Sequence, residues 1–534
     1  MTVKLTVVDR AKSAATRTEP VRHSRAQMLP WLRIWGSRLA RHAFPIALAI
    51  GVFLRYWRLN ALGLNSDEAV YAGQAASIAG QHTYLPYFPI FRAHPLLFQA
   101  LLSLPYQFGV ADITGRILAA GFGVATLAIA YQLGKLLYGR RAGIVAMTLL
   151  AVMPYHVTVS RQVLLDAPMV FFATAALYAL VRYCLHHGAR WLVVAGALMG
   201  LAILTKETAV VLLGGVYCFF VLSQTIKLRM KRAAIALGVA GMIALAFPLT
   251  LRLAGATRTG GNYLAWQLFR RANHPIDFYL TTVPTVIGPL VLALTIFGLL
   301  LDRKQLNWRE GLLVSWCLVP IVFFTLMPIK GFQYLLPLAP PVAVLAARAL
   351  TSATIWSRLT RRIPRWRTTA QNSAAVLTVL ALMVPAWLVV QPSNNQAFLA
   401  GAGGLPGGRE AGTWVGNNLP EGSMLLTIGP SMANVIAFYG HRQAYGLSVS
   451  PNQLNRNPSY AAVENADVQL RNGAIQYIVW DTFSAARSPN FSDRLLGYVK
   501  KYHGLVIHSE TVQLDNESGL PTTKPLIIVY ELRP

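Results

Sequence analysis

Apolar runs of about 17 to 22 residues recur along the first 391 positions, each long enough at 1.5 Å per residue to cross a hydrocarbon core of about 30 Å. They fall at 42–58, 116–137, 142–158, 167–185, 190–205, 207–223, 233–253, 281–301, 311–327, 333–350 and 373–391. About eleven membrane-spanning helices are therefore expected. The stretch HPLLFQALLSLPYQFG, 94–109, is apolar but short and interrupted by Pro and polar residues, so it reads as a helix lying at the membrane surface.

Lysine and arginine then set the sides. The turns GKLLYGRRAG, RYCLHHGAR, KLRMKR, DRKQLNWRE and SRLTRRIPRWR carry the basic clusters. Eleven spans put all of them on one side, as the positive-inside rule requires, with the basic segment 1–41 as a cytoplasmic tail. Counting 94–109 as a span would invert every later loop.

Past 391 the pattern changes. A Gly-rich linker, AGAGGLPGGRE, precedes a mixture in which SMLLTI, AIQYIVW, GLVIHS and PLIIVYEL read as strands, and REAGTWVGNN, ANVIAFY and SDRLLGYVKKY as helices. The expected organisation is a tail (1–41), a transmembrane part (42–391) and a small extracytoplasmic α/β domain (392–534).

Composition agrees: mean hydropathy is +0.45, and 54% of residues are hydrophobic against 13% charged. The formal charge of +28 is spread in short clusters between apolar runs, which is a membrane topology signal and not a nucleic-acid surface. Cys184, Cys218 and Cys317 lie in or beside apolar runs without metal-binding spacing.

Against this background a second set of polar residues gathers at the outer span ends. Asp67 and Glu68 stand together in LNSDEAVYAG; Arg92, His94 and Arg116 follow; then Arg161 and Asp166 in SRQVLLDAP. Lys206 and Glu207 occupy LTKETA, the loop 254–280 carries Arg258, Arg270, Arg271, His274 and Asp277, and Lys330, Gln333 and Tyr334 sit in IKGFQYLLP. Basic residues in outer loops oppose the positive-inside bias. Beside acids, they are what an outward-facing site for an anionic ligand would need. Adjacent carboxylates near a membrane repel and lose hydration, so Asp67 and Glu68 call for a use. Asp166, followed by Pro168, also suits a helix start.

DE in the first outer loop, HPLLFQ, the Arg opening the second span, SRQVLLDAP and KGFQYLLPLAPP together resemble the protein O-mannosyltransferase and aminoarabinose-transferase superfamily, membrane glycosyltransferases of the GT-C type. The resemblance covers about 42–350. HPLL stands where protein mannosyltransferases show HPPL, and no MIR-type insertion is present, so sugar and acceptor stay open.

The resemblance implies inverting transfer of a sugar, mannose or a relative, from a polyprenyl phosphate to an acceptor hydroxyl of a protein, lipid or glycan at the outer face. It makes Asp67 the base and gives Glu68 the task of orienting the acceptor or raising the basicity of Asp67. The departing lipid phosphate calls for cations, with Arg116, Lys206, Lys330 and a loop arginine such as Arg270 as candidates. Asp166 would hold Arg161 or a neighbouring cation, or contact the sugar. The helix at 94–109 and the loop 254–280 would cover the prenyl chain. No GxGxxG or P-loop occurs, and no cofactor is required; a divalent metal on Asp67, Glu68, Asp166 and His94 is possible, but no spacing predicts one. The rival is a transporter of a lipid-linked or small anionic substrate, which would want broken helices and mid-membrane charges.

Overall fold

The computed structural model describes residues 30–91, 93–256, 263, 266, 267, 269, 272–392, 405–457, 460–515 and 521–533. The chain separates into two compact units, Met1–Pro45 and Ile46–Pro534. Apart from the start of the first helix, everything below concerns the second.

The helices follow the apolar runs: α1 Pro30–Tyr56, α2 Ser66–Ile78, α3 Leu97–Tyr106, α4 Asp112–Tyr138, α5 Arg140–Ala151, α6 Pro154–Ser160, α7 Asp166–His186, α8 Ala189–Thr205, α9 Val211–Leu222, α10 Met230–Ala244 and α11 Ala246–Leu253. After the loop come α12 Phe278–Ile287, α13 Pro289–Leu301, α14 Trp308–Leu326, α15 Ala339–Thr351, α16 Ala353–Leu359 and α17 Arg367–Val390. Among the described residues, six helices are long and apolar enough to cross a membrane, and eight if each of two bent pairs counts as one span. The remaining three of the eleven expected runs correspond to shorter apolar helices, His42–Tyr56, Ala189–Thr205 and Glu207–Leu222. Length and composition thus support eight spans, and eleven only with these three added. Helix α3, with 10 residues, is about 15 Å long and too short to span.

Two expected spans are broken. Helices α5 and α6 meet at 61°, and α12 and α13 at 97°. Each break precedes a proline at the first helical turn, Pro154 and Pro289, which cannot donate the hydrogen bond that would continue the preceding helix. Gly288, at φ +101°, supplies the backbone conformation that the sharper corner needs. At the first break the carbonyls of Leu150 and Ala151 accept from the fully buried Arg55 guanidinium, at 3.3 and 3.0 Å. These two freed carbonyls are therefore satisfied inside the protein, as the interior of a bilayer demands.

Beyond 405 a five-stranded sheet forms, with β1 Met424–Thr427, β2 Gln443–Gly446, β3 Tyr477–Asp481, β4 Leu505–Asp515 and β5 Pro521–Glu531 in the order β2-β1-β3-β5-β4. The pairs β1/β2 and β1/β3 are parallel, and β5 runs antiparallel to both β3 and β4. Helices α18 Gly408–Asn418 and α19 Pro430–Gly440 pack on one face, against Leu425, Val479, Ile527 and Val529. Helices α20 Ala466–Arg471, α21 Thr482–Arg487 and α22 Pro489–Lys501 complete this part, and Leu495 of α22 joins Leu426 and Ile478 in the core of the other face. With both faces covered, β3 is a continuous apolar run and not an alternating one. All four expected strands and all three expected helices are present; β2, α20 and α21 are additional.

Candidate functional site

The first turn of α2 decides where the two adjacent acids go. The Asn65 side chain accepts from the backbone N–H groups of Asp67 and Glu68, both at 3.0 Å, and Glu68 Oε2 accepts from Asn65 N at 3.0 Å, a reciprocal capping box. The cap turns Glu68 inward, where it is fully buried, and leaves Asp67 exposed.

Glu68 meets Arg116 of α4 in a two-pronged ion pair, Nε to Oε1 and Nη2 to Oε2, both 2.8 Å. Its Oε1 also accepts from Val163 N at 2.9 Å. Arg116 gives its other donors to the carbonyls of Leu59 (3.1 Å), Leu62 (2.6 Å) and Gly63 (2.8 Å). Five guanidinium N–H groups thus meet five acceptors within the chain, so Arg116 has none left for a ligand phosphate. The expected roles of Arg116 as a phosphate cation and of Glu68 as an acceptor-orienting group do not fit this geometry. The pair instead fixes the loop that precedes α2.

Asp67 lines a cavity of about 370 Å³ that is walled by α2, the residues around His94, the turn at Lys206–Thr208, the loop residues Tyr263, Trp266 and Gln267, and Gln333 and Tyr334. The sheet-bearing part closes it with Pro430, Ser448–Ser450, Asn455–Asn457 and Tyr460. Among the described residues the Asp67 carboxylate has no hydrogen-bond or ion-pair partner. Asp67, His94, Lys206, Glu207, Gln333 and Tyr334 thus line one cavity.

One buried pair, Asp166–Lys206, and one half-buried pair, Glu207–His94, form the wall. Lys206 Nζ lies 2.8 Å from both oxygens of Asp166 and 5.2 Å from the Tyr334 ring centroid. Burial acts to lower the Lys206 ammonium, but the Asp166 carboxylate outweighs it and holds Lys206 above the ordinary lysine value. Asp166 therefore serves Lys206, not Arg161. Arg161 donates to the carbonyls of Leu54 and Trp57 at 2.7 and 2.8 Å, capping the end of α1. His94 Nδ1 faces both oxygens of Glu207 at 2.9 and 3.0 Å, and Nε2 lies 3.1 Å from the Tyr263 hydroxyl, which accepts from Gln267 at 2.7 Å. A neutral imidazole with its proton on Nδ1 satisfies this whole chain.

Lys330 is buried away from the cavity, its Nζ on Met327 O at 2.9 Å and its backbone held by Asn273. Arg92, Arg258, Arg270 and Arg271 lie outside the described residues. Among the described residues no group of three or more His, Cys, Asp or Glu side chains is arranged to hold a metal. Wall residues not singled out from the sequence include Tyr263, Trp266 and Gln267, and Ser448–Ser450, Asn455–Asn457 and Tyr460 of the sheet-bearing part. Polar loops carry no period, so nothing in the sequence distinguished them.

A helical bundle with broken spans, a loop carboxylate over a cation-bearing cavity and a sheet-bearing part that closes it describe a polytopic helical fold of membrane type. Residues 93–251 match the family model for dolichyl-phosphate-mannose-protein mannosyltransferase. An undecaprenyl phosphate-alpha-4-amino-4-deoxy-L-arabinose arabinosyl transferase of Enterobacter sp. (strain 638) is 26% identical over 230 residues, 38% of this chain and 41% of that protein. The alignment therefore spans less than half of that relative. In fold, ArnT from Cupriavidus metallidurans in the apo state superposes with TM-score 0.64 at 14% identity, covering 94% of this chain and 97% of that one. The same protein bound to undecaprenyl phosphate gives 0.60 at 15% identity, with the same coverage of both chains. The oligosaccharyltransferase AglB from Archaeoglobus fulgidus, in complex with an inhibitory peptide and a dolichol-phosphate, gives 0.57 at 15% identity over 92% of this chain and 74% of that one. The superfamily resemblance read from the sequence holds in the family match and in the fold.

Proposed function

We propose that the protein transfers a sugar from a polyprenyl-phosphate donor to an acceptor hydroxyl at the extracytoplasmic face of a membrane, with inversion at the anomeric carbon. The observation that carries the reading is Asp67, a carboxylate without a partner among the described residues, lining a cavity that also holds Lys206 and Arg456. In the step, the acceptor oxygen attacks the anomeric carbon while its proton passes to Asp67. The bond from that carbon to the phosphate oxygen breaks, and its electron pair leaves with the polyprenyl phosphate. The growing phosphate charge needs preorganised cations. Lys206 is held rigidly by Asp166, and Arg456 lies 3.4 Å from Pro451 O, a long contact, with no closer polar partner among the described residues.

The lipid tail would lie along the membrane side of α3, and the acceptor, a protein, lipid or glycan, would enter beneath the loop 448–460. On this reading each of the eleven apolar runs is one span, 1–41 is cytoplasmic, and 392–534 is an outer domain. The molecules bound in two solved structures of similar fold, undecaprenyl phosphate and dolichol-phosphate, support a donor of this kind. Mannose and aminoarabinose are both consistent with the relatives' names.

The two helix breaks are a feature that the transporter reading asks for. At the first, however, the carbonyls of Leu150 and Ala151 are taken by Arg55 and not offered to a substrate. Transfer assays in membranes with a panel of polyprenyl-phosphate sugars separate the readings. Sugar transfer that depends on Asp67 supports the enzyme, whereas movement of substrate across the bilayer without transfer supports transport.

A further inference from the structure

We propose that Arg409 and Tyr439, both from the sheet-bearing part, are positioning residues for Asp67, so that the chemistry requires this part to be seated on the loop 59–65. The inference rests on the proposed role of Asp67 as the base.

The loop 59–65 delivers the chain to the capped start of α2, and its backbone is held from two sides. From the helical bundle, Arg116 takes the carbonyls of Leu59, Leu62 and Gly63. From the sheet-bearing part, Arg409 takes Asn60 O at 3.2 Å, Asn60 Oδ1 at 3.0 Å and Leu62 O at 2.7 Å. The Leu62 carbonyl thus accepts from both guanidinium groups, which uses both of its lone pairs. Two residues on, Leu64 N donates to the Tyr439 hydroxyl at 2.8 Å, and that hydroxyl donates to Asp112 Oδ2 at 2.7 Å. Arg409 closes the ring on the same Asp112 oxygen at 2.7 Å. Burial and the neighbouring Asp112 hold the Tyr439 hydroxyl well above its ordinary range, so it remains a donor at physiological pH.

The fit leaves no slack at Gly63, where an added Cβ would come within 2.7 Å of Arg409 Cβ and 3.1 Å of its backbone nitrogen. Helix α19 extends the grip onto α2 itself, with Asn434 Nδ2 donating to Ser66 Oγ at 3.0 Å. Its Phe438 ring lies 5.3 Å from Tyr84 and 6.3 Å from Phe88. Asp67 follows three residues after Leu64, in the first turn of α2, so a shift of the loop moves its carboxylate directly. A displacement of about 1 Å at a reacting group can cost about a hundredfold in rate. Neither Arg409 nor Tyr439 lines the cavity, so their effect on the reaction has to pass through the loop.

The test uses the full-length protein in membranes or detergent, with a polyprenyl-phosphate sugar that the wild type accepts. Tyr439→Phe removes the hydroxyl alone, Arg409→Met removes the donors, and Arg409→Lys keeps the charge opposite Asp112. The first two should lower kcat roughly 10- to 100-fold with donor KM within about twofold, and Arg409→Lys should recover part of the loss. In an Asp67→Asn background the same changes should add no further loss, because the group they position is gone. Gly63→Ala, which leaves every hydrogen-bonding side chain in place, should reproduce the kcat effect and provides the readout if Tyr439→Phe does not fold.

Full kcat in folded Arg409→Met and Gly63→Ala, a loss confined to KM, or an undiminished loss in the Asp67→Asn background would each overturn the inference. These results leave the base assignment standing when Asp67→Asn alone is inactive. A fully active Asp67→Asn removes both.

Discussion

The two ends of the helical bundle handle charge differently. At the end remote from the cavity, Arg348 of α15 meets Asp302 at 2.9 Å and Glu310 at 2.7 Å, and Tyr138 donates to Glu310 at 2.9 Å. Each of these carboxylates is engaged and nearly inaccessible. At the cavity end the pairs Glu68–Arg116 and Asp166–Lys206 follow the same rule, and the half-buried Glu207 is hydrogen-bonded by His94, but Asp67 has no such partner among the described residues. Buried charges in a protein or bilayer interior survive only when paired, so pairing by itself identifies no function. The informative residue is the acid that the surrounding network leaves open. Its neighbour Glu68, identical in local sequence context, is turned inward by one capping box.

Removing one partner of a buried pair leaves the other charge uncompensated, and this sets the largest expected effects. Arg348→Leu at the remote end and Arg116→Leu at the cavity end should each cost about 3–5 kcal/mol of stability. Thermal unfolding of the purified protein measures both, and equal losses would mean that Glu68–Arg116 is as structural as the remote network. If Arg116→Leu instead left stability unchanged and raised donor KM, Arg116 would be a ligand-binding cation after all.

Lys206→Met should separate a wall cation from a purely structural one. Because Lys206 is paired like Arg116 but faces the cavity, both stability and transfer should fall, the latter by about 10- to 100-fold. Restored stability without restored transfer in the double variant Asp166→Asn/Lys206→Met would assign the cation to the reaction. Recovery of both would make the pair structural.

A smaller effect lies in the sheet-bearing part. Asp481 is fully buried, and burial pushes its carboxyl up to about 6, against which the Ser484 backbone hydrogen bond at 2.6 Å works only in part. An acid with a raised value binds more protons folded than unfolded, so its contribution weakens stability as pH rises from about 4 through about 6. Asp481→Asn keeps the cap on α21 and removes the charge. It should therefore stabilise this part at pH 7.5 by on the order of 1–3 kcal/mol, a gain that vanishes near pH 4. Unfolding curves at the two pH values check the sign.

How much of this was legible in the sequence depends on the range of the forces involved. The helices in the apolar runs, the short helix α3 and the strands β1, β3, β4 and β5 follow from local periodicity, and each lies where its pattern put it along the chain. The breaks at Pro154 and Gly288–Pro289 carried a local signal too, in the prolines that start the second segment of each pair. Charge partners did not. Sequence proximity offered Arg161 to Asp166, whereas the actual partner, Lys206, is 40 residues away, and Glu68 and Arg116 are 48 apart. Only the folded bundle decides which of several cations at the span ends are consumed by neighbouring carbonyls and carboxylates. The closure of the cavity by Ser448–Ser450, Asn455–Asn457 and Tyr460 was invisible for the same reason, since it depends on α19 docking against α2 and not on any pattern within that stretch.

The central claim is that Asp67 is the open carboxylate because it takes the acceptor's proton. Its most direct test is the kcat of sugar transfer by Asp67→Asn, measured with saturating polyprenyl-phosphate donor in membranes. The account expects a loss of about 10²- to 10⁴-fold with an unchanged unfolding temperature. Wild-type kcat in a folded Asp67→Asn protein would contradict it.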